Sequence, residues 1–246
     1  LKPAVTVSGL TRFFGEVEAV KGLDMEVPAG EIFGLVGPDG AGKTTTIRLL
    51  VGILDPTAGE ASVLGVPLSR LESVRSRIGY MSQRFGLYED LTVAENLRFF
   101  GRLHGVKGDK FSRRSSRLLT FAGLENFTGR LAGQLSGGMK QKLGLSCALI
   151  HSPEILFLDE PTAGVDPVSR REFWRLLYDL LREGVTIFIA TSYMDEAQRC
   201  SRLGFMHRGT LIHLDTPENI RQSAGKGASL EDAFLEKVSG LNASEG

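Results

Sequence analysis

Residues 36–46 read VGPDGAGKTTT, and the rest of the chain is organised around this stretch. Gly37, Gly40 and Gly42 lack a Cβ and can take positive φ, so successive backbone N–H groups can turn inward around an anion. Lys43 adds a compact positive charge for β- and γ-phosphates, and the Thr44 hydroxyl is placed to ligate Mg²⁺. Pro38, Asp39 and Ala41 complete the loop, and Thr45 follows on the helix side. The flanks suit this reading: Glu31 to Val36 (EIFGLV) is a short apolar strand, and Thr44 to Val51 is a helical pattern with Ile47, Leu50 and Val51 on one side. The helix N-terminus then points at the phosphates and adds its dipole.

The chain has 246 residues, 42% hydrophobic and 24% charged, which is ordinary for an α/β protein with a real core. Basic and acidic residues balance at 29 each, so the whole-chain charge is not that of a dedicated nucleic-acid binder, and non-specific DNA affinity would need a local patch. Cys147 and Cys200 have no CxxC spacing, which argues for a reducing compartment and against a disulfide framework or zinc site. No run approaches the ~20 apolar residues that cross a bilayer. There is no signal-peptide pattern. The first residue is Leu1 rather than Met, which suggests a piece of a longer polypeptide.

Ala4 to Leu10 and Val17 to Val27 alternate apolar and polar residues like half-buried antiparallel strands. Between them, Phe13 and Phe14 suit core packing or stacking on a base. Strands are also expected at Ala61 to Leu64 and Ile78 to Ser82, the latter running into Gln83. From Gly86 to about Ser152 the period becomes helical. Thr92 and Glu95 form a capping-box pattern, and Gly108 to Ala122 is a basic amphipathic segment read as a solvated helix face. Phe85 and Tyr88 suit either internal packing or a partner groove. In LSGGMKQ, residues 135–141, Ser136 is an N-cap, and Gly137 and Gly138 leave first-turn N–H groups accessible.

Ile155 to Pro161 (ILFLDEP) is an apolar strand ending in two carboxylates. Ligands gather at the carboxyl ends of strands in parallel α/β sheets, which would bring Asp159 and Glu160 to the phosphate loop. Asp159 can hold the Mg²⁺ that Thr44 also binds, and Glu160 can polarise an attacking water. Asp166-Pro167 opens a helix that Gly184 ends, and Val185 to Thr191 is a buried strand followed by Ser192 and a short helix. Strands at Leu203 to His207 and Thr210 to Leu214 come next, then a polar tail carrying a short amphipathic helix, Leu230 to Val238.

In this order GPDGAGKTT, Gln83, LSGGMKQ, LFLDEPTAGVD and a strand ending at Ser192 resemble the nucleotide-binding subunit of ABC transporters over essentially the whole chain. GLYEDLTVAENL, DEPTAGVDPVSRREFW and LEDAFLE are most similar to ATPases serving ABC-2-type exporters of drugs or other amphipathic compounds. The resemblance implies a P-loop NTPase (RecA-like) α/β core with a mixed sheet, an N-terminal antiparallel β subdomain and an inserted α-helical subdomain. The expected boundaries are 1–85 and 152–225 for the core, 86–151 for the helical insert and 226–246 for the tail.

The resemblance further implies that Phe14 stacks on adenine, Gly37 through Thr45 wrap the ATP phosphates, Gln83 touches Mg²⁺ and the membrane partner, Asp159 helps hold the metal and Glu160 is the general base. Ser136, Gly137 and Gly138 would cap the γ-phosphate bound to a second nucleotide-binding domain in a head-to-tail dimer, with Asp166 across that interface. The expected setting is cytoplasmic, peripheral on the inner membrane face and coupled to an ABC-2-type permease, with no nucleic-acid partner.

Two positions depart from the family pattern. The family usually has a histidine where Ser192 stands, to contact the γ-phosphate and order the catalytic water, and asparagine where Asp39 stands. A site lacking one preorganised γ-phosphate contact is expected to hydrolyse slowly, since such a loss costs ~3 kcal/mol, on the order of 10²–10³ in rate. A tandem protein whose other ATPase domain keeps the histidine follows from the same reasoning. The alternatives are a soluble ABC ATPase or an ATP-sensing regulatory module. Repair-type ATPases insert a long coiled coil between phosphate loop and LSGG, whereas this gap is about ninety residues without a heptad run. Ribosome-associated types carry two domains joined by a charged linker, and this chain reads as one domain.

Overall fold

A computed structural model describes residues 2–83 and 86–244, so the expectation for Phe85 lies outside the described residues. The chain forms two compact units, one of Leu1–Arg75 with Thr186–Gly246 and one of Ser76–Val185.

In the first unit, strands β1 (Pro3–Phe14) and β2 (Val17–Pro28) make a long antiparallel hairpin. The strand expected at Ala4 to Leu10 continues to Phe14, without its alternation, because the turn falls at Gly15, with φ 59°. Strand β4 (Ala58–Val63) pairs with the other edge of β1, and β5 (Val66–Pro67) with β4. The second sheet of this unit is mixed. Strand β3 (Ile32–Val36) lies parallel to both β8 (Thr186–Thr191) and β9 (Arg202–His207), and β10 (Thr210–Asp215) returns antiparallel on β9. Strands β3 and β8 are buried along their whole length, as a parallel strand covered on both faces must be.

Helix α1 (Lys43–Leu50) follows β3, and α6 (Met194–Ala197) follows β8. Helices α7 (Pro217–Ser223) and α8 (Leu230–Ser244) close the chain. The last is longer than Leu230 to Val238 and is not a loose tail. Leu230 and Ala233 are fully buried with Phe205 and Ile220, and the Phe234 ring meets Phe205 edge-on at 5.2 Å. Leu230, wholly removed from water, contributes about 1.5–3 kcal/mol to holding the helix, and Ala233 and the partly buried Phe234 add to it. Cys200 packs so closely on β3 that a Cβ at Gly34 would lie 2.8 Å from its sulfur. Burial pushes the Cys147 and Cys200 thiols up, which makes both inert.

In the second unit, β6 (Ile78–Met81) runs parallel to β7 (Ile155–Asp159). Helices α2 (Val93–Leu103), α3 (Gly108–Ala122) and α4 (Gly137–Leu149) enclose an apolar centre of Val93, Leu97, Leu124, Leu143 and Ile150. The capping box is present: Thr92 Oγ1 accepts from Glu95 N at 3.2 Å, and Thr92 N donates to Glu95 Oε2 at 2.8 Å. Helix α5 (Pro167–Arg182) starts on Asp166, with Pro167 at its first position, and stops before Gly184 at φ 87°.

His104 and His151 stack face to face in this unit, centroids 3.8 Å apart, and His151 Nε2 lies 2.9 Å from the Ile78 carbonyl. Burial, then the nearby His104, lowers the His151 pKa from 6.5 to about 4. Because folding depresses the pKa of this base, the unfolded chain binds more protons between the two values. The contribution is complete above pH 6.5 and lost as pH falls to about 4, a loss on the order of 2–3 kcal/mol. Denaturant titrations across that range are expected to show a falling midpoint in the wild type and a shallower fall in His151→Phe. Parallel pH profiles would contradict the assignment.

Candidate functional site

The glycine loop leaves β3 at Val36 and is held from two directions. Gly37 N donates to the Thr191 carbonyl at the end of β8 (3.3 Å), and Gly209 N in the β9–β10 turn donates to the Ala41 carbonyl (2.9 Å). The glycines are dictated by space as well as by φ. A Cβ at Gly37 would sit 2.0 Å from the Met206 carbonyl oxygen. Gly42, at φ 106°, would place one 2.4 Å from the Ala19 carbonyl oxygen. Gly42 caps α1 without a side-chain acceptor, so the first-turn N–H groups of α1 face the loop opening.

Lys43 is nearly completely buried, and its Nζ donates to the carbonyls of Gly37 (2.8 Å) and Pro38 (3.0 Å) and to Ser192 Oγ (3.2 Å). Ser192 Oγ in turn donates to Asp39 Oδ1 at 3.1 Å. The two residues that depart from the family pattern are therefore hydrogen-bonded to each other, 153 positions apart. Thr191 and Glu196, to which the sequence reading gave no role, fix the strand end beside Ser192. Buried Thr191 donates to buried Glu196 at 2.6 Å and accepts from Tyr193 N at 3.1 Å. The sequence signal was an acid five residues beyond a threonine at a strand end.

Phe14 ends β1 in the same unit. The residue is 44% exposed, too open for core packing, and Arg12 lies over its ring at 4.8 Å from the centroid.

In the second unit, β7 delivers Asp159, fully buried, and Glu160 just beyond it. Glu160 has φ 46°, the left-handed region that an L-residue with a long side chain enters only when its surroundings require it. Gln83 Nε2 donates to Glu160 Oε2 at 2.9 Å, so two expected site residues meet directly. Ser136 is exposed and caps α4, its Oγ accepting from Met139 N at 3.3 Å. Asp166 caps α5 by accepting from Val168 N and Ser169 N, each at 3.0 Å. These bonds, led by those from Ser169, hold its carboxyl below the usual range. A Cβ at Gly138 would lie 2.5 Å from the Ser169 side chain. Gly138 is thus buried as a packing necessity between α4 and α5, and of the two glycines expected to leave N–H groups accessible only Gly137 is exposed.

Thr44 in the first unit, and Gln83 and Asp159 in the second, each carry a hard oxygen of the kind that suits Mg²⁺. A loop in which Gly37 and Gly42 leave no room for a Cβ, and Gly40 takes φ 77°, suits a phosphate chain.

The family model for "ABC transporter" matches residues 20–163. The chain belongs to the ABC transporter family.

Among ABC transporter proteins, the chain is 48% identical over 222 residues to the probable multidrug ABC transporter ATP-binding protein YbhF of Escherichia coli (strain K12), a match that takes in 89% of this chain. It spans only 38% of that relative's length. It is 44% identical over 212 residues to Nod factor export ATP-binding protein I of Burkholderia lata, covering 85% of this chain and 70% of that protein. A dimeric ATP-binding cassette in a post-hydrolysis state, bound to ADP and Pi, superposes with a TM-score of 0.78 at 26% identity, over 86% of this chain and 98% of that one. The α/β architecture, with its antiparallel N-terminal sheet and its mixed sheet, is that of an ABC cassette. No helix among the described residues is long and apolar enough to cross a membrane.

Proposed function

We propose that this chain binds and hydrolyses ATP to drive an exporter of amphipathic compounds through a separate ABC-2-type permease on the inner face of the membrane. The observation that carries the reading is the buried Lys43 ammonium held over the Gly37 and Pro38 carbonyls at the mouth of the glycine loop. Neutral carbonyls hold an ammonium less strongly than phosphate oxygens do, so Lys43 turns to the β- and γ-phosphates when ATP enters. Gly37 through Thr45 give backbone N–H groups to the phosphates, and Phe14 offers an exposed ring to adenine. Thr44, Gln83 and Asp159 would hold Mg²⁺, which would supply charge neutralisation to the bound phosphates.

Glu160 takes the proton of the attacking water, oriented by Gln83. Ser136, Gly137 and Gly138 cap the γ-phosphate of a facing copy or a sister domain, with Asp166 beside that interface. The core then comprises 1–85 and 152–225, with 86–151 as the helical insert and 226–246 as its C-terminal extension. The Ser192 hydroxyl, engaged by Asp39 and Lys43, makes this the slower of two sites when the sister domain carries a histidine there.

Equilibrium titration with a fluorescent ATP analogue and Mg²⁺ tests the reading. The wild type is expected to bind saturably, and Lys43→Ala about 10–10²-fold more weakly, the worth of one charge-assisted contact. Equal affinity in the two proteins would remove the phosphate-cradle assignment.

A further inference from the structure

The chain is neutral as a whole, but residues 93–122 hold seven basic and two acidic side chains. Part of that charge serves the fold, since Arg114 donates to the Ile150 carbonyl and Arg117 pairs with Glu183. The rest gathers at one place. Arg98 and Arg102, one turn apart on α2, and Lys107, before α3, line a concavity of about 510 Å³ floored by Val106 and Phe111. All three cations are exposed, and among the described residues none forms an ion pair. Glu95, near enough to Arg98 to feel its charge, is engaged by Thr92 N and Oγ1. The floor is firm, because a Cβ at Gly101 would lie 2.7 Å from the Phe111 ring.

Beside the Arg98–Arg102 edge, the adjoining edge of α2 carries Phe99 (37% exposed) and Leu103 (67% exposed), again one turn apart. A cationic row flanking exposed apolar side chains is the pattern of a helix lying against charged headgroups with its apolar residues in the acyl boundary. A nucleic acid would match the charge but not Leu103 and Phe99, unless stacking used the phenylalanine.

We propose that the α2–α3 hairpin binds anionic phospholipid headgroups directly, so that this chain touches the bilayer itself as well as any permease. Arg98, Arg102 and Lys107 take the phosphates, and Leu103 enters the interface. The inference needs no nucleotide chemistry and stands or falls apart from the ATPase reading.

Vesicle co-sedimentation of the whole chain decides it, using phosphatidylcholine vesicles with and without phosphatidylglycerol. Binding is expected only with phosphatidylglycerol and should fall as salt is raised. At about fivefold per cation, R98A/R102A should partition roughly thirtyfold less. Leu103→Asp should also weaken binding, while both variants keep wild-type circular dichroism and nucleotide affinity. Three results would overturn the proposal: equal binding to neutral vesicles, anionic binding unchanged in the variants, or saturation by glycerol phosphate or duplex DNA with no vesicle binding.

Discussion

Ser192→His is expected to raise ATP turnover by about 10²–10³, the worth of one restored γ-phosphate contact. The serine hydroxyl is short, and its single proton is directed to Asp39 Oδ1 at 3.1 Å while its lone pair accepts from Lys43. It therefore has no donor left for a phosphate oxygen unless the Asp39 bond breaks. An imidazole at this position carries a donor on each ring nitrogen when protonated, so it can keep Asp39 on one nitrogen and present the other to the phosphate. Steady-state phosphate release at saturating ATP is the measurement, with nucleotide affinity as the control that the loop is intact. Combining the change with Asp39→Asn shows whether the carboxylate is needed to hold the ring. A turnover that stays at the wild-type value would mean that serine and water suffice and that the site is not slow on this account.

Glu160→Gln is expected to lower turnover by about 10²–10⁴, the range for losing a positioned general base, with ATP affinity retained. The substitution is nearly isosteric, so the Gln83 contact at 2.9 Å survives with the new amide presenting its oxygen. The left-handed backbone at φ 46° is asked of glutamine as it was of glutamate, and the surrounding turn, with Ala163 N on the Glu160 carbonyl at 3.2 Å, still imposes it. What is lost is only the ability to accept a proton. Because ATP would be bound but not consumed, a head-to-tail pair held by Ser136, Gly137 and Gly138 should accumulate with ATP and be visible as a dimer in size-exclusion chromatography. A turnover within a few-fold of wild type would assign the base elsewhere.

The Ser192 and Glu160 predictions differ in what the sequence could supply. The place of Glu160 just past a strand end was readable because an apolar strand followed by two acids is a local pattern. The Thr92–Glu95 box, the Ser136 cap and the Asp166-Pro167 start were readable for the same reason, since each bond spans two or three residues. The length of α8 was not, because its anchor is a contact between Phe234 and Phe205. Nor were the extent of β1, set by where Gly15 turns, or the stacking of His104 on His151.

The sequence by itself determined the phosphate loop, the order of the motifs, the family and the places where helices begin, because hydrogen bonds within one turn of helix and the reach of a single loop depend on neighbours in the chain. Only the tertiary structure decided that Asp39 and Ser192 share a hydrogen bond, that Gly37 faces the Met206 carbonyl, that Gly138 yields to Ser169, and that the α2–α3 hairpin gathers its cations around one hollow. Each of those joins residues that lie far apart in the chain or on successive helices, and no local propensity encodes the distance between them.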